Sequence, residues 1–236
     1  MDAEALKEMC GSEYPAAVLQ NGVRMPLSLE TRFTRSYSSV DDKTGFWVSR
    51  FMDGSASMTA DELRRHWSHW TSEERVDFCQ SCVWLHKQAD YSEMLRCVMH
   101  HGAPDQWSAV AVNVASDLPR EEAFDFLLDA LGAIGSGICS NIIQGIAITK
   151  HPEAEATLRD RLRIIWANPK LWDDDDFLNW VASDATCCIQ YLIELGAPPA
   201  DFKEQARRLS EHHCEGNRDS CRRWLSQYYS FHPSQN

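Results

Sequence analysis

The chain has 236 residues with 44% hydrophobic and 25% charged side chains, ordinary globular composition that excludes disorder and allows a real buried core. Its formal net charge of −12 argues against a general nucleic-acid binder, because affinity for phosphate needs clustered Lys and Arg. It suits a basic protein partner instead. Residues 1–58 carry the turn signals Gly11, Pro15, Asn21-Gly22, Pro26, Ser36 to Ser39 and Asp53-Gly54, and read as an irregular N-terminal cap. The start has no basic stretch followed by an apolar run, so no secretory signal is expected. Thr59-Ala60-Asp61-Glu62 and Thr71-Ser72-Glu73-Glu74 are capping boxes. They predict helices to about Trp70 and to about Lys87.

From there a periodic pattern runs to the C-terminus. Ala115, Ala123, Leu127 and Leu131 become Ile146, Ala154, Leu158 and Leu162 after a shift of 31 residues. A second shift of 31 gives Phe177, Ala185, Ile189 and Ile193. Looser flanking units contain Val83, Tyr91, Leu95 and Met99, and Leu209, Asn217, Cys221 and Leu225. The last three positions of each set are four apart and share one helix face. Polar breaks are expected at residues 117–120, at 149–152 and at Ala182-Ser183-Asp184. Further breaks fall at Gly135-Ser136-Gly137 and Asn168-Pro169-Lys170. Two helices per unit make a hairpin that cannot bury its apolar stripe alone, so hairpins must stack.

The segment from Ile142 to Ala147, then Pro152-Glu153-Ala154-Glu155-Ala156-Thr157-Leu158, carries this grammar best. It resembles the short, lyase-type class of HEAT-like repeats, and the likeness extends over roughly residues 72–231. The resemblance implies an all-α solenoid of about five HEAT-like hairpins over residues 59–236, capped by residues 1–58. It says little about function.

Several residue groups invite chemistry. Cys79-x2-Cys82, with Cys97-x2-His100, has the donor types of a four-ligand zinc site. Cys79 also lies four residues from Val83 on an apolar face, which favours small core residues over a metal. His66 and His69, interleaved with Trp67 and Trp70, read as core aromatics beside partly exposed imidazoles. Arg159, Arg161 and Arg163 surround Leu158 and Leu162. However, residues 119–180 hold eleven acidic and six basic side chains, so no phosphate-binding groove is expected. Trp84, Trp107, Trp166, Trp180 and Trp224 fall in apolar helical patterns and are expected between repeats.

Asp173, Asp174, Asp175 and Asp176 follow Trp172. One or two of them suit a helix N-terminus, and the surplus of like charge suits a cationic partner. Trp172 and Asp173 to Asp176 are therefore the expected partner-binding residues. Nine cysteines, mostly inside apolar patterns, fit reduced thiols in a cytoplasm. No stretch reaches 18 consecutive apolar residues, so no membrane span is expected. P-loop, dinucleotide and nucleophile-elbow motifs are missing, and no cofactor or catalytic set is expected.

The leading expectation is a non-catalytic binding protein, an acidic inhibitor or immunity-type protein that covers a basic partner. One alternative is a DNA-glycosylase-like or lyase enzyme on the same repeats, using an acid such as Glu62 or Asp173 to Asp176. A second is a zinc module at Cys79, Cys82, Cys97 and His100.

Overall fold

The computed structural model describes residues 59–86, 89–135, 139–173 and 179–231, without the side chains of residues 77, 81, 83 and 84. The expected cap, residues 1–58, lies outside them, as do Phe177 and Asp174 to Asp176. Every regular element among the described residues is helical: α1 Ala60–Trp67, α2 Ser72–Ser81, α3 Tyr91–His101, α4 Pro104–Asp117, α5 Arg120–Ile134, α6 Ser140–Thr149, α7 Ala154–Trp166, α8 Trp180–Glu194, α9 Lys203–Ser210 and α10 Glu215–Leu225. Short 3-10 turns cover Cys82–Leu85, Pro169–Trp172 and Pro199–Phe202. None of the described helices is long and apolar enough to cross a membrane. The chain divides into two compact units, Met1–Gly102 and Ala103–Asn236.

In the first unit both capping boxes form. Thr59 Oγ1 accepts from the Glu62 amide, while Glu62 accepts from the Thr59 amide at 2.8 Å. Thr71 and Glu74 do the same at the start of α2. Thr71 adopts extended backbone as the N-cap, so α1 cannot run on to Trp70 and stops at Trp67. Likewise α2 tightens into a 3-10 turn at Cys82 short of Lys87. Trp67 and Phe78 pack edge to face in the core, Trp70 is tilted against both, and Trp67 Nε1 donates to the His101 carbonyl at 3.1 Å.

In the second unit α4 packs along α6, α6 along α8, and α8 along α10. Helix α5 lies against α4 and α6, α7 against α6 and α8, and α9 against α8 and α10. The positions spaced by four are buried as expected: Ala123, Leu127 and Leu131 in α5, Ala154, Leu158 and Leu162 in α7, and Ala185, Ile189 and Ile193 in α8. Each Leu or Ile so buried contributes about 1.5–3 kcal/mol, and each Ala less.

The third set nevertheless differs from the expectation. No break occurs at Ala182-Ser183-Asp184, because α8 is already running there. Asn179 starts it, its Oδ1 accepting from the amides of Val181 and Ala182 at 3.0 and 3.1 Å. By packing, α8 stands in series with α4 and α6, although its sequence register matches α5 and α7. The helices in that series begin at residues 104, 140, 180 and 215, intervals wider than 31 residues.

Gly145 marks the closest approach. A Cβ there would stand 2.9 Å from the Ala111 carbonyl oxygen and 3.1 Å from Leu127 Cδ1. Only the missing side chain lets α6 sit this close to α4 and α5.

Candidate functional site

Three places in the second unit hold unusual chemistry. The first is buried. Asp184 projects from the second turn of α8 and is 3% exposed. Its Oδ2 accepts from the Cys139 amide at 3.0 Å and from Cys139 Sγ at 3.1 Å, and its Oδ1 accepts from Ser140 Oγ. Cys139 precedes α6, so a carboxylate from a distant helix caps α6 and meets the positive end of its dipole. Arg161, also buried, reaches Cys139 Sγ at 3.0 Å and the Gly135 carbonyl.

Burial pushes the Cys139 thiol far up, and the Asp184 carboxylate adds to the shift. Cys187 rises to about 12, mainly by burial, and Cys188 is raised for the same reason. Protonated, fully covered thiols are poor nucleophiles. The chemistry of this cluster is structural: it ties α6, α7 and α8 together.

The second place lies where the Pro169–Trp172 turn meets the α9–α10 connection. Trp166 and Trp172 meet edge to face at 5.6 Å. The Arg208 guanidinium lies 4.5 Å from the Trp172 ring centre and 5.3 Å from that of Trp166, a cation–π bridge across both rings. His212 stacks on Trp172 at 5.4 Å, and His213 stacks on His212 at 4.2 Å. His212 Nε2 bonds the Leu171 carbonyl and His213 Nε2 the Asp173 carbonyl, both at 2.8 Å. A carbonyl only accepts, so each Nε2 carries the proton. His212 Nδ1 accepts from the Cys214 amide at 3.1 Å. One ligand atom from each of His212, His213 and Cys214 lies within 4.8 Å of the other two.

The third place is the outer face of α5. Leu128 is 42% exposed and is flanked by the exposed Asp125 and Asp129. Among the described residues neither carboxylate has a cation partner. Glu121, one turn earlier, is engaged by Arg120 at 2.7 Å and by His151 at 2.8 Å. The Arg120 hydrogen bond, followed by that of His151, holds the Glu121 carboxyl below its ordinary value.

The residues singled out by sequence fall as follows. Trp172 is half-buried, with its ring engaged by Arg208, Trp166 and His212. Asp173 is exposed at the end of a 3-10 turn and starts no helix; Asn179 supplies the cap that an aspartate was expected to give. Cys79, Cys82 and Cys97 are buried in the first unit, while His100 is exposed at the end of α3. Burial, then the neighbouring Cys82 and Cys97, raise the Cys79 thiol. All eight described cysteines are buried and none forms a disulfide.

Trp67 and Trp70 are core residues. His66 stacks on Trp70 at the surface, and His69 is exposed in the turn after α1. Arg159 pairs with Glu155 and Asp201, and Arg163 with Asp160, which accounts for the basic residues around Leu158. Glu62 closes its capping box. The Thr59 amide, then the Thr59 hydroxyl, hold its carboxyl below the ordinary range, the wrong direction for a general acid. Trp107, Trp166 and Trp224 pack against the core, but Trp180 is 52% exposed. It occupies the first turn of α8, off the face formed by Ala182, Ala185 and Ile189.

The run His212-His213-Cys214 was not picked out by spacing. Its signal was compositional: a short His and Cys tract directly before a helix start.

No family model matches the chain, and neither a curated protein nor a solved structure does.

Proposed function

We propose that the chain is a non-catalytic, protein-binding α-solenoid of HEAT-like hairpins, an acidic inhibitor of the immunity type that covers a basic protein partner. The series α4, α6, α8 and α10, with α5, α7 and α9 laid against it, supports the stacked-hairpin reading. The observation that carries the binding reading is the α5 face. Asp125 and Asp129 flank exposed Leu128, in a chain of net charge −12, and pair with no cation among the described residues. Like charges four apart on a helix repel, and a cationic partner removes that cost. An acidic surface also steers a basic partner to encounter. Trp172 is the less suitable anchor, because its ring is already engaged.

The test compares wild-type chain with the Asp125→Lys/Asp129→Lys double variant as paired baits in extract of the native host. The wild type is expected to retain one basic protein in stoichiometric amount, less tightly as salt rises. The variant is expected to lose it. Both aspartates are exposed, so the variant keeps its fold. Retention of no specific protein, or equal retention by both baits, overturns the reading.

A further inference from the structure

The arrangement around His212 and His213 has a feature that protein binding does not use. Both imidazoles donate Nε2–H to backbone carbonyls of the same short stretch, Leu171 and Asp173. Metal-ligating histidines are oriented in this way, with one ring nitrogen fixed by a carbonyl or carboxylate and the other left to ligate. On His212, Nδ1 lies on the side away from that stretch and accepts from the Cys214 amide. The rings are stacked, and Cys214 follows directly in sequence, with its amide 3.1 Å from His212 Nδ1. Cys214 is also the N-cap of α10, an eleven-residue helix whose positive end favours a thiolate.

We propose that His212 Nδ1, His213 Nδ1 and Cys214 Sγ bind one divalent transition metal of the zinc class. Two imidazoles and a thiolate suit zinc, cobalt and nickel better than calcium or magnesium, which take oxygen ligands. Three protein ligands leave the fourth tetrahedral position to water or to a donor from another molecule. On binding, the Cys214 thiol loses its proton to solvent and an S–metal bond forms. His212 Nδ1 exchanges its hydrogen bond from the Cys214 amide for a metal bond. No electron is transferred. Exposed His213 and buried His212 are each held at Nε2, by the carbonyls of Asp173 and Leu171.

The test uses cobalt(II) alone, titrated into reduced, chelator-stripped full chain, followed by displacement with zinc alone. Saturation at one ion per chain is expected, with a thiolate-to-cobalt charge-transfer band. His213→Ala removes a surface ring with its stack on His212 and its bond to the Asp173 carbonyl, and is expected to weaken binding by about tenfold or more with unchanged circular dichroism. Cys214→Ser is expected to abolish the charge-transfer band. If Cys214→Ser does not fold, the His213→Ala titration decides. Absence of the band in the wild type, or an unchanged cobalt affinity in His213→Ala, overturns the proposal. So does a band that survives Cys214→Ser and disappears in Cys97→Ala, which would place the metal in the first unit.

Discussion

The two units start their helices in different ways. In the first, α1 and α2 are capped mainly by residues within three positions of the cap, Thr59 with Glu62 and Thr71 with Glu74, and only a long 3.4 Å bond from the Ala60 amide to Asp90 reaches further. In the second, side chains from far along the chain support two helix starts, although Asn179 still caps α8 locally. Asp184 caps α6 from 45 residues away. Asn217 bonds the Asn179 amide at 2.6 Å and the Asn179 carbonyl at 2.7 Å, from 38 residues away, beneath the start of α8. A local cap forms with its own helix. A remote cap exists only once two helices have packed, so it makes helix formation and packing a single event.

Alkali is expected to have the largest effect, and it acts on both units. Burial raises the thiols of Cys139, Cys187, Cys188 and Cys221 in the second unit, with Cys187 and Cys221 at about 12. It raises Cys79 and Cys97 in the first. Below the ordinary thiol value of 9.0, folded and unfolded chains are both protonated and the full stability is present. Between that value and about 12 the unfolded chain releases protons that the folded chain keeps, so stability falls as pH rises. Denaturant midpoints measured from pH 8 to pH 11 are expected to hold steady at first and then drop continuously. A flat profile would contradict the burial of these thiols.

Next in size is Asp184→Ala, which strands the Cys139 amide, the Cys139 thiol and the Ser140 hydroxyl and removes the charge beside α6. It is expected to cost about 3–5 kcal/mol. Hydrogen exchange should show the first amides of α6 losing protection along with the drop in melting temperature. Asn217→Ala leaves the buried Asn179 amide without its acceptor and is expected to cost about 2 kcal/mol, read by urea denaturation. Thr71→Ala removes one local cap of α2 and is expected to cost about 1 kcal/mol. If Thr71→Ala proved as damaging as Asp184→Ala, the distinction between local and remote capping would fail.

The same distinction explains what could be read from the sequence. Thr59, Thr71 and the positions spaced by four needed only neighbours within a turn or two, and they were legible. Asp184 looked like a break because an aspartate after a serine ordinarily caps its own helix. Its true partners sit on α6 and come near only through packing. In the sequence, the four aspartates before Asn179 carry a more obvious capping signal than Asn179 does. Trp180 looked like core because its neighbours are apolar, but the helix start fixed by Asn179 turns it outward. The His212-His213-Cys214 cluster needed the Pro169–Trp172 turn to be brought against it, and no pattern in the chain announces that contact.

The close approach at Gly145 bears on how the α5 face would meet a partner. Helices α4, α5 and α6 are locked at one point, where the Ala111 carbonyl and the Leu127 side chain both press against a glycine. A shift of α5 would have to drag its two neighbours along. The surface holding Asp125, Leu128 and Asp129 is therefore set before any partner arrives. Little conformational entropy remains to be lost there on association, and changes in affinity should be read mainly in how slowly the complex comes apart.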